Sequence, residues 1–123
     1  HVMGLDVHDM ENLGEQYVGY PEGEKKSTQF GFKSLRLSRP LEPGFVFTVE
    51  PGIYFIPELM DQWEAEKRFT DFINYDKLPA WRDFTGLRNE LNYVITPEGA
   101  RLLGHKKKPM TIDEVIGAKN GLF

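Results

Sequence analysis

The six residues Phe45-Val46-Phe47-Thr48-Val49-Glu50 constrain this chain more than any other stretch. Pro43-Gly44 precedes them and Pro51-Gly52 follows, so the backbone turns at both ends and the aromatic and β-branched run between reads as a strand. Alternation puts Phe45, Phe47 and Val49 on one face and Val46, Thr48 and Glu50 on the other. Glu50 thus ends a largely apolar strand at a turn. An unpaired buried carboxylate there would be costly, so Glu50 needs a cation or strong hydrogen-bond donors.

Similar punctuation organises the rest. His1 to Met10 alternates loosely, with Leu5 and Val7 on one side and Asp6 and His8 on the other, which predicts a strand. Glu11 to Phe32 is rich in Gly, Glu, Lys and Ser with isolated aromatics and predicts a long surface loop. Beyond the Pro51-Gly52 break, extended chain resumes at Ile53 to Ile56. Glu58 to Lys67 predicts a helix with Leu59, Met60 and Trp63 on one side, and Phe69 to Phe84, which contains Asp76 and Pro79, predicts short helical turns. Gly86 to Thr96 predicts one strand, joined to Ala100 to Leu103 through a turn at Pro97-Glu98-Gly99. Thr111 is the expected N-cap of a short helix through Ile112, Val115 and Ile116, with Asp113 and Glu114 in its first turn and an end near Gly117 or Gly121.

Composition removes several classes of function. The 123 residues are expected to form one folded unit, 1–123, large enough for an apolar core. The net charge is −4, and Lys and Arg are scattered except at Lys106, Lys107 and Lys108, so nucleic acid is not an expected partner. No apolar run approaches the roughly 20 residues of a membrane helix, so no membrane association is expected. Cysteine is absent, which excludes disulfides and thiolate sites and leaves His, Asp and Glu as the only metal ligands. This accords with a reducing cytoplasm, the expected location. The first residue is His instead of Met, so the chain is expected to be part of something longer.

His1, His8, Glu50 and Glu90 form an imidazole and carboxylate set suited to Mn, Co, Fe or Zn. For Glu50 two readings stand side by side: a metal ion, or an ion pair with Arg88, which by its spacing shares a strand face with Glu90. Both hold together if the arginine braces a metal-binding carboxylate. His1 and His8, seven positions apart, fall on opposite faces of a regular strand, so one of them is expected to bind metal while a bend at Gly4 brings the other to the substrate. A purely structural or terminal role for His1 stays open on this ground alone.

The segment His1-Val2-Met3-Gly4-Leu5-Asp6-Val7-His8-Asp9 resembles the second half of the histidine motif of proline-specific peptidases with the pita-bread fold, the aminopeptidase P and prolidase family. Thr48-Val49-Glu50-Pro51-Gly52-Ile53-Tyr54 resembles their glutamate motif, and Gly86-Leu87-Arg88-Asn89-Glu90 resembles their third block. The three blocks occur in the family's order.

The resemblance implies an α+β fold, a strongly curved antiparallel sheet with helices on its outer face, as the C-terminal portion of a pita-bread catalytic domain. It implies a dinuclear-metal peptidase that hydrolyses the Xaa-Pro bond in dipeptides or at the N-terminus of peptides. The two divalent ions would be manganese foremost, with cobalt, iron or zinc as alternatives. His1, Glu50 and Glu90 correspond to three of five metal ligands, Glu90 bridging, and the other two, aspartates, have no counterpart here. His8 corresponds to a substrate-contacting catalytic histidine, Glu50 also to the general base, and Arg88 and Tyr54 to residues that hold the carboxylates and the transition state. Lacking two ligands, the 123 residues alone are expected to be inactive. Asn89 stands where the family has an apolar residue, and alternation turns it away from the metal face.

The long loop and the Leu59 to Phe84 insertion resemble the dipeptidase branch. The parent is expected to be a homodimer or larger, and the piece alone is expected to self-associate through exposed apolar surface. The competing reading is a non-catalytic pita-bread module that binds peptide or protein. Such a module has no electrostatic reason to keep His1, His8, Glu50, Arg88 and Glu90 together.

Overall fold

Two runs of extended chain break at the same level. In the computed structural model, which describes residues 1–106 and 108–120, β1 (Val46–Val49) and β2 (Gly52–Tyr54) are separated at Glu50-Pro51, and β3 (Gly86–Arg88) and β4 (Leu91–Thr96) at Asn89-Glu90. β1 pairs antiparallel with β4, Val49 opposite Leu91, and β2 pairs antiparallel with β3, Gly52 opposite Arg88. The breaks therefore lie side by side, joined by the Asn89 N–H donating to the Pro51 carbonyl at 2.9 Å. Proline cannot donate to a ladder, so the ribbon bends there instead of continuing. This corrects the expectation of one strand over Gly86 to Thr96: the proline in the partner strand divides it.

β5 (Gly99–Leu102) returns along β4 through a tight turn in which Thr96 lies opposite Gly99, whose φ of 131° suits glycine. On the free edge of β1 the first three residues add a short ladder. The Thr48 N–H donates to the His1 carbonyl at 2.9 Å, and the Met3 N–H donates to the Val46 carbonyl at 2.8 Å. The expected strand over His1 to Met10 ends after this. Gly4 N–H donates to the Asp6 carbonyl at 3.2 Å, and the Asp6 carboxylate accepts the N–H of the next residue, Val7, at 2.7 Å, so the chain turns back on itself. Leu5 consequently stands fully exposed instead of sharing a strand face with Val7.

The long loop carries a 3-10 turn (Glu11–Leu13) and the one-turn helix α1 (Glu15–Val18) and is otherwise irregular up to a second 3-10 turn at Phe32–Ser34. Buried Tyr20 pins it, its hydroxyl donating to the Leu35 carbonyl at 2.7 Å. Between β2 and β3 the chain makes an excursion. α2 (Pro57–Ala65) starts with Pro57 in its first turn, buries Met60, and packs Trp63 edge-to-face on Phe30 and Phe69. A 3-10 segment (Tyr75–Trp81) follows, and Trp81 stacks on Phe55 at 5.1 Å.

Arg82 spans back to α2 and grips Asp61 with two hydrogen bonds, of 2.5 and 3.0 Å. The hydrogen bonding from Arg82 is the main reason that the Asp61 carboxyl lies below its usual range; burial opposes it, and the Arg82 charge adds to the lowering. A depressed folded-state pKa contributes stability above the unfolded value, near pH 4, that is lost as pH falls through the folded value. Asp61→Asn is therefore expected to lower the melting temperature by about 1–2 °C at pH 7, given how little exposed pairs contribute. Melting followed by circular dichroism from pH 7 to pH 2 checks this: the gap to wild type should close on acidification, and a constant gap refutes it.

α3 (Ile112–Asn120) begins with a capping box. The Thr111 hydroxyl accepts the Glu114 N–H at 3.2 Å, and the Glu114 carboxylate accepts the Thr111 N–H at 3.0 Å. The helix runs through Gly117, where the sequence suggested an end; the other suggested end, Gly121, lies outside the described residues.

The core is smaller than the length suggests. Among the described residues Tyr20, Phe47 and Met60 are the buried apolar side chains, and Phe47 stacks on Tyr93. Ile53 and Leu87, cross-strand partners, remain 69% and 68% exposed. The ribbon is a single layer with an apolar face open to solvent, and a single layer cannot enclose its own side chains. No helix among the described residues is long and apolar enough to cross a membrane.

Candidate metal centre

Glu50 sits at the bend of the ribbon and is held there by both oxygens. The Thr48 hydroxyl, two residues earlier on the same face, donates to Oε1 at 2.5 Å, and the Arg88 Nη1 donates to Oε2 at 2.8 Å. Arg88 reaches Glu50 because β3 lies against β2 with Arg88 opposite Gly52. Its Nε–H donates to the Tyr54 hydroxyl oxygen at 2.7 Å, fixing the guanidinium plane. The Thr48 hydrogen bond is the main reason that the Glu50 carboxyl lies below the usual carboxylate range; burial opposes it, while Arg88 and Arg36 add to the lowering. Glu50 is an ionised acceptor at neutral pH.

His1 is aligned on it by the edge ladder. Its side chain is 2% exposed, and Nε2 lies 3.1 Å from Glu50 Oε1. Nδ1 lies 3.0 Å from the Val2 carbonyl, which can only accept, so Nδ1 carries a proton. Nε2 then meets the Glu50 carboxylate either through its own proton, as an imidazolium–carboxylate ion pair, or, with the ring neutral, through a cation shared by both.

Glu90, from the break in the opposite strand, completes the group: one ligand atom each from His1, Glu50 and Glu90 all lie within 4.8 Å of one another. Metal–ligand bonds of about 2.1 Å at 90–109° place neighbouring donors about 3.0–3.4 Å apart, which the His1–Glu50 separation matches. The chemistry of this donor set fits a divalent ion.

The turn after Gly4 folds His8 back until its ring meets the His1 ring edge-on, with centroids 4.5 Å apart. All six sequence candidates thus gather at the bend: His1, Glu50 and Glu90 as a cluster, Arg88 and Tyr54 as its brace, and His8 beside it. Asn89 turns away, its amide donating to the Met110 sulfur at 3.2 Å.

Three further residues enter that sequence reasoning missed. Thr48 was legible, because alternation places it on the face of Glu50. Arg36, whose Nη2 is 4.0 Å from Glu50 Oε1, and Glu11, which accepts from Arg36 Nη1 at 3.2 Å, come from irregular chain that has no period to read. His1, Arg36, Thr48, Glu50, Tyr54 and Arg88 line one side of an open groove of about 1040 Å³.

Against known proteins, residues 1–97 match the model of metallopeptidase family M24. The chain is 44% identical over 121 residues to the Xaa-Pro dipeptidase of Rattus norvegicus and 42% identical over 121 residues to that of Homo sapiens, in each case across 98% of this chain and 23% of the relative. It is 38% identical over 95 residues to an Xaa-Pro dipeptidase of Escherichia coli O1:K1 / APEC, covering 77% of this chain and 20% of that protein. The chain therefore spans about a quarter or less of the length of the curated relatives it matches. The family match across both breaks of the ribbon, together with the antiparallel sheets and flanking helices, establishes that the chain belongs to metallopeptidase family M24 and has its α+β pita-bread fold.

Proposed function

We propose that residues 1–123 are the C-terminal portion of the catalytic domain of a two-metal Xaa-Pro dipeptidase. The observation that carries this reading is the convergence of His1, Glu50 and Glu90 on one point at the bend, with Arg88 and Thr48 occupying the outer positions of the Glu50 carboxylate. Two divalent ions, manganese foremost, would supply Lewis acidity and an activated solvent nucleophile.

The chain's own residues have separable tasks. Glu50, kept ionised by Thr48 and Arg88, takes the proton of the attacking solvent. His8 offers a ring N–H to the oxygen of the scissile carbonyl as charge develops there. Arg88 and Tyr54 keep Glu50 from swinging off axis. Arg36 lines the same groove, with one edge on Glu11 and the other turned toward Glu50. A dipeptide places its free carboxylate one residue beyond the bond that breaks, and Arg36, in the groove beside Glu50, is the cation we assign to it, through a charge-assisted hydrogen bond. The dipeptidase names of the relatives support the same choice over a longer substrate.

The test uses manganese-loaded full-length protein and, in parallel, the 123 residues alone. The full-length protein is expected to cleave an Xaa-Pro dipeptide and to lose that activity on chelation. The 123 residues are expected to show none, because two anionic ligands lie elsewhere. Chelator-resistant cleavage, or none by the full-length protein, rejects the reading.

A further inference from the structure

Glu11 lies outside the metal-binding group yet touches what surrounds it. Its Oε2 accepts from Arg36 Nη1 at 3.2 Å and stands 3.9 Å from His8 Nδ1. The side chain is only 17% exposed, and Oε1 is buried with no hydrogen-bond partner. A carboxylate in that position persists only if its neighbours hold it, and the two that do are Arg36, which lines the groove, and His8, whose ring lies against His1.

The backbone is bent to deliver it. Met10 has φ 59°, a left-handed conformation uncommon for a side chain of its size, and the Glu11 N–H donates back to the His8 carbonyl at 3.3 Å. His8 and Glu11 are thereby fixed to each other before either meets Arg36. The contacts then close on themselves: Glu11 to Arg36, Arg36 to Glu50 at 4.0 Å, Glu50 to His1 at 3.1 Å, His1 to the His8 ring, and His8 to Glu11.

We propose that Glu11 is a positioning residue that sets specificity for a free carboxylate: it holds the Arg36 guanidinium on the groove wall and the His8 imidazole beside His1 at fixed angles, so that one meets the carboxylate of the substrate's proline and the other its scissile carbonyl. This rests on the dipeptidase reading above. Without Glu11, Arg36 is free to collapse onto Glu50, the nearest remaining anion, and leaves the carboxylate position.

The test compares an Xaa-Pro dipeptide with its carboxamide, which lacks the terminal charge, on manganese-loaded full-length wild type, Glu11→Ala and Glu11→Gln. Glu11→Ala is expected to raise KM for the dipeptide about tenfold, to change KM for the carboxamide less than about twofold, and to lower kcat severalfold on both through His8. Glu11→Gln keeps an acceptor for Arg36 and is expected to recover most of the dipeptide KM. Manganese affinity is expected to stay at the wild-type value in both.

Equal losses on the two substrates without recovery in Glu11→Gln, or weakened manganese binding, would reduce Glu11 to a pin in the loop and overturn the proposal. Unchanged kinetics would overturn it too. If Glu11→Ala does not fold, Glu11→Gln carries the test, with a smaller KM rise confined to the dipeptide. Absence of cleavage by wild type points instead to failure of the dipeptidase reading, and the proposal falls with it.

Discussion

In full-length protein loaded with manganese, Glu50→Gln is expected to lower kcat/KM for an Xaa-Pro dipeptide by at least about 1000-fold. Loss of a general base alone costs about 100- to 10,000-fold. On the proposed reading the same substitution would also remove an anionic ligand, and it puts an amide where Thr48 and Arg88 both donate. Whichever way the amide lies, its NH₂ faces one of those donors, so the side chain must rotate or leave a donor unsatisfied. Steady-state kinetics paired with metal analysis of the purified variant separates the two losses. Residual activity within tenfold of wild type, with both ions retained, would sink the assignment of Glu50 as base.

Phe47→Ala is expected to cost about 3–5 kcal/mol of stability, a large share of the roughly 5–15 kcal/mol that a domain has to spare. Phe47 is one of the few buried apolar side chains among the described residues; it stacks on Tyr93 of β4 and bridges Val2 on the other edge. Its removal therefore loosens the ladder that aligns His1 as well as the sheet. Val49→Ala, at a 42% exposed position of the same strand, is expected to cost less than about 1 kcal/mol. Denaturant titration of the full-length variants checks the contrast, and similar midpoint shifts for the two would contradict the packing argued here.

Much of the architecture was legible where local chemistry and tertiary context agree. Pro43-Gly44 and Pro51-Gly52 bracket β1 as expected, Pro97-Glu98 turns β4 into β5, and Thr111 with Glu114 opens α3. The errors have two separate causes. Gly86 to Thr96 carries no breaker of its own; the break comes from Pro51 in the partner strand, which no window on β3 and β4 contains. His1 to Met10 has strand alternation, but an Asp6 side chain competes for the backbone and wins after Met3.

The site divides in the same way. Residues on strands follow from a period of two, which is how Thr48 and Glu50 share a face. Glu11 and Arg36 come from chain without periodicity, and their meeting depends on loop geometry that no spacing encodes. The small core was illegible for another reason. Composition gives the amount of apolar surface but not what packs over it, and among the described residues the Ile53–Leu87 pair is left exposed.

The excursion between β2 and β3 leaves and returns at one point: Tyr54 lies opposite Gly86, the Phe55 N–H donates to the Thr85 carbonyl at 2.8 Å, and Phe55 stacks on Trp81. Such a closed neck makes residues 55–85 an exchangeable cassette. Closure entropy rises only slowly with loop length, so segments of different size can be spliced at the neck while the bend that carries Glu50 and Glu90 keeps its register. The excursion can then diverge among descendants of one scaffold without disturbing the strand pairing on either side of the bend, and a protein engineer has the same freedom.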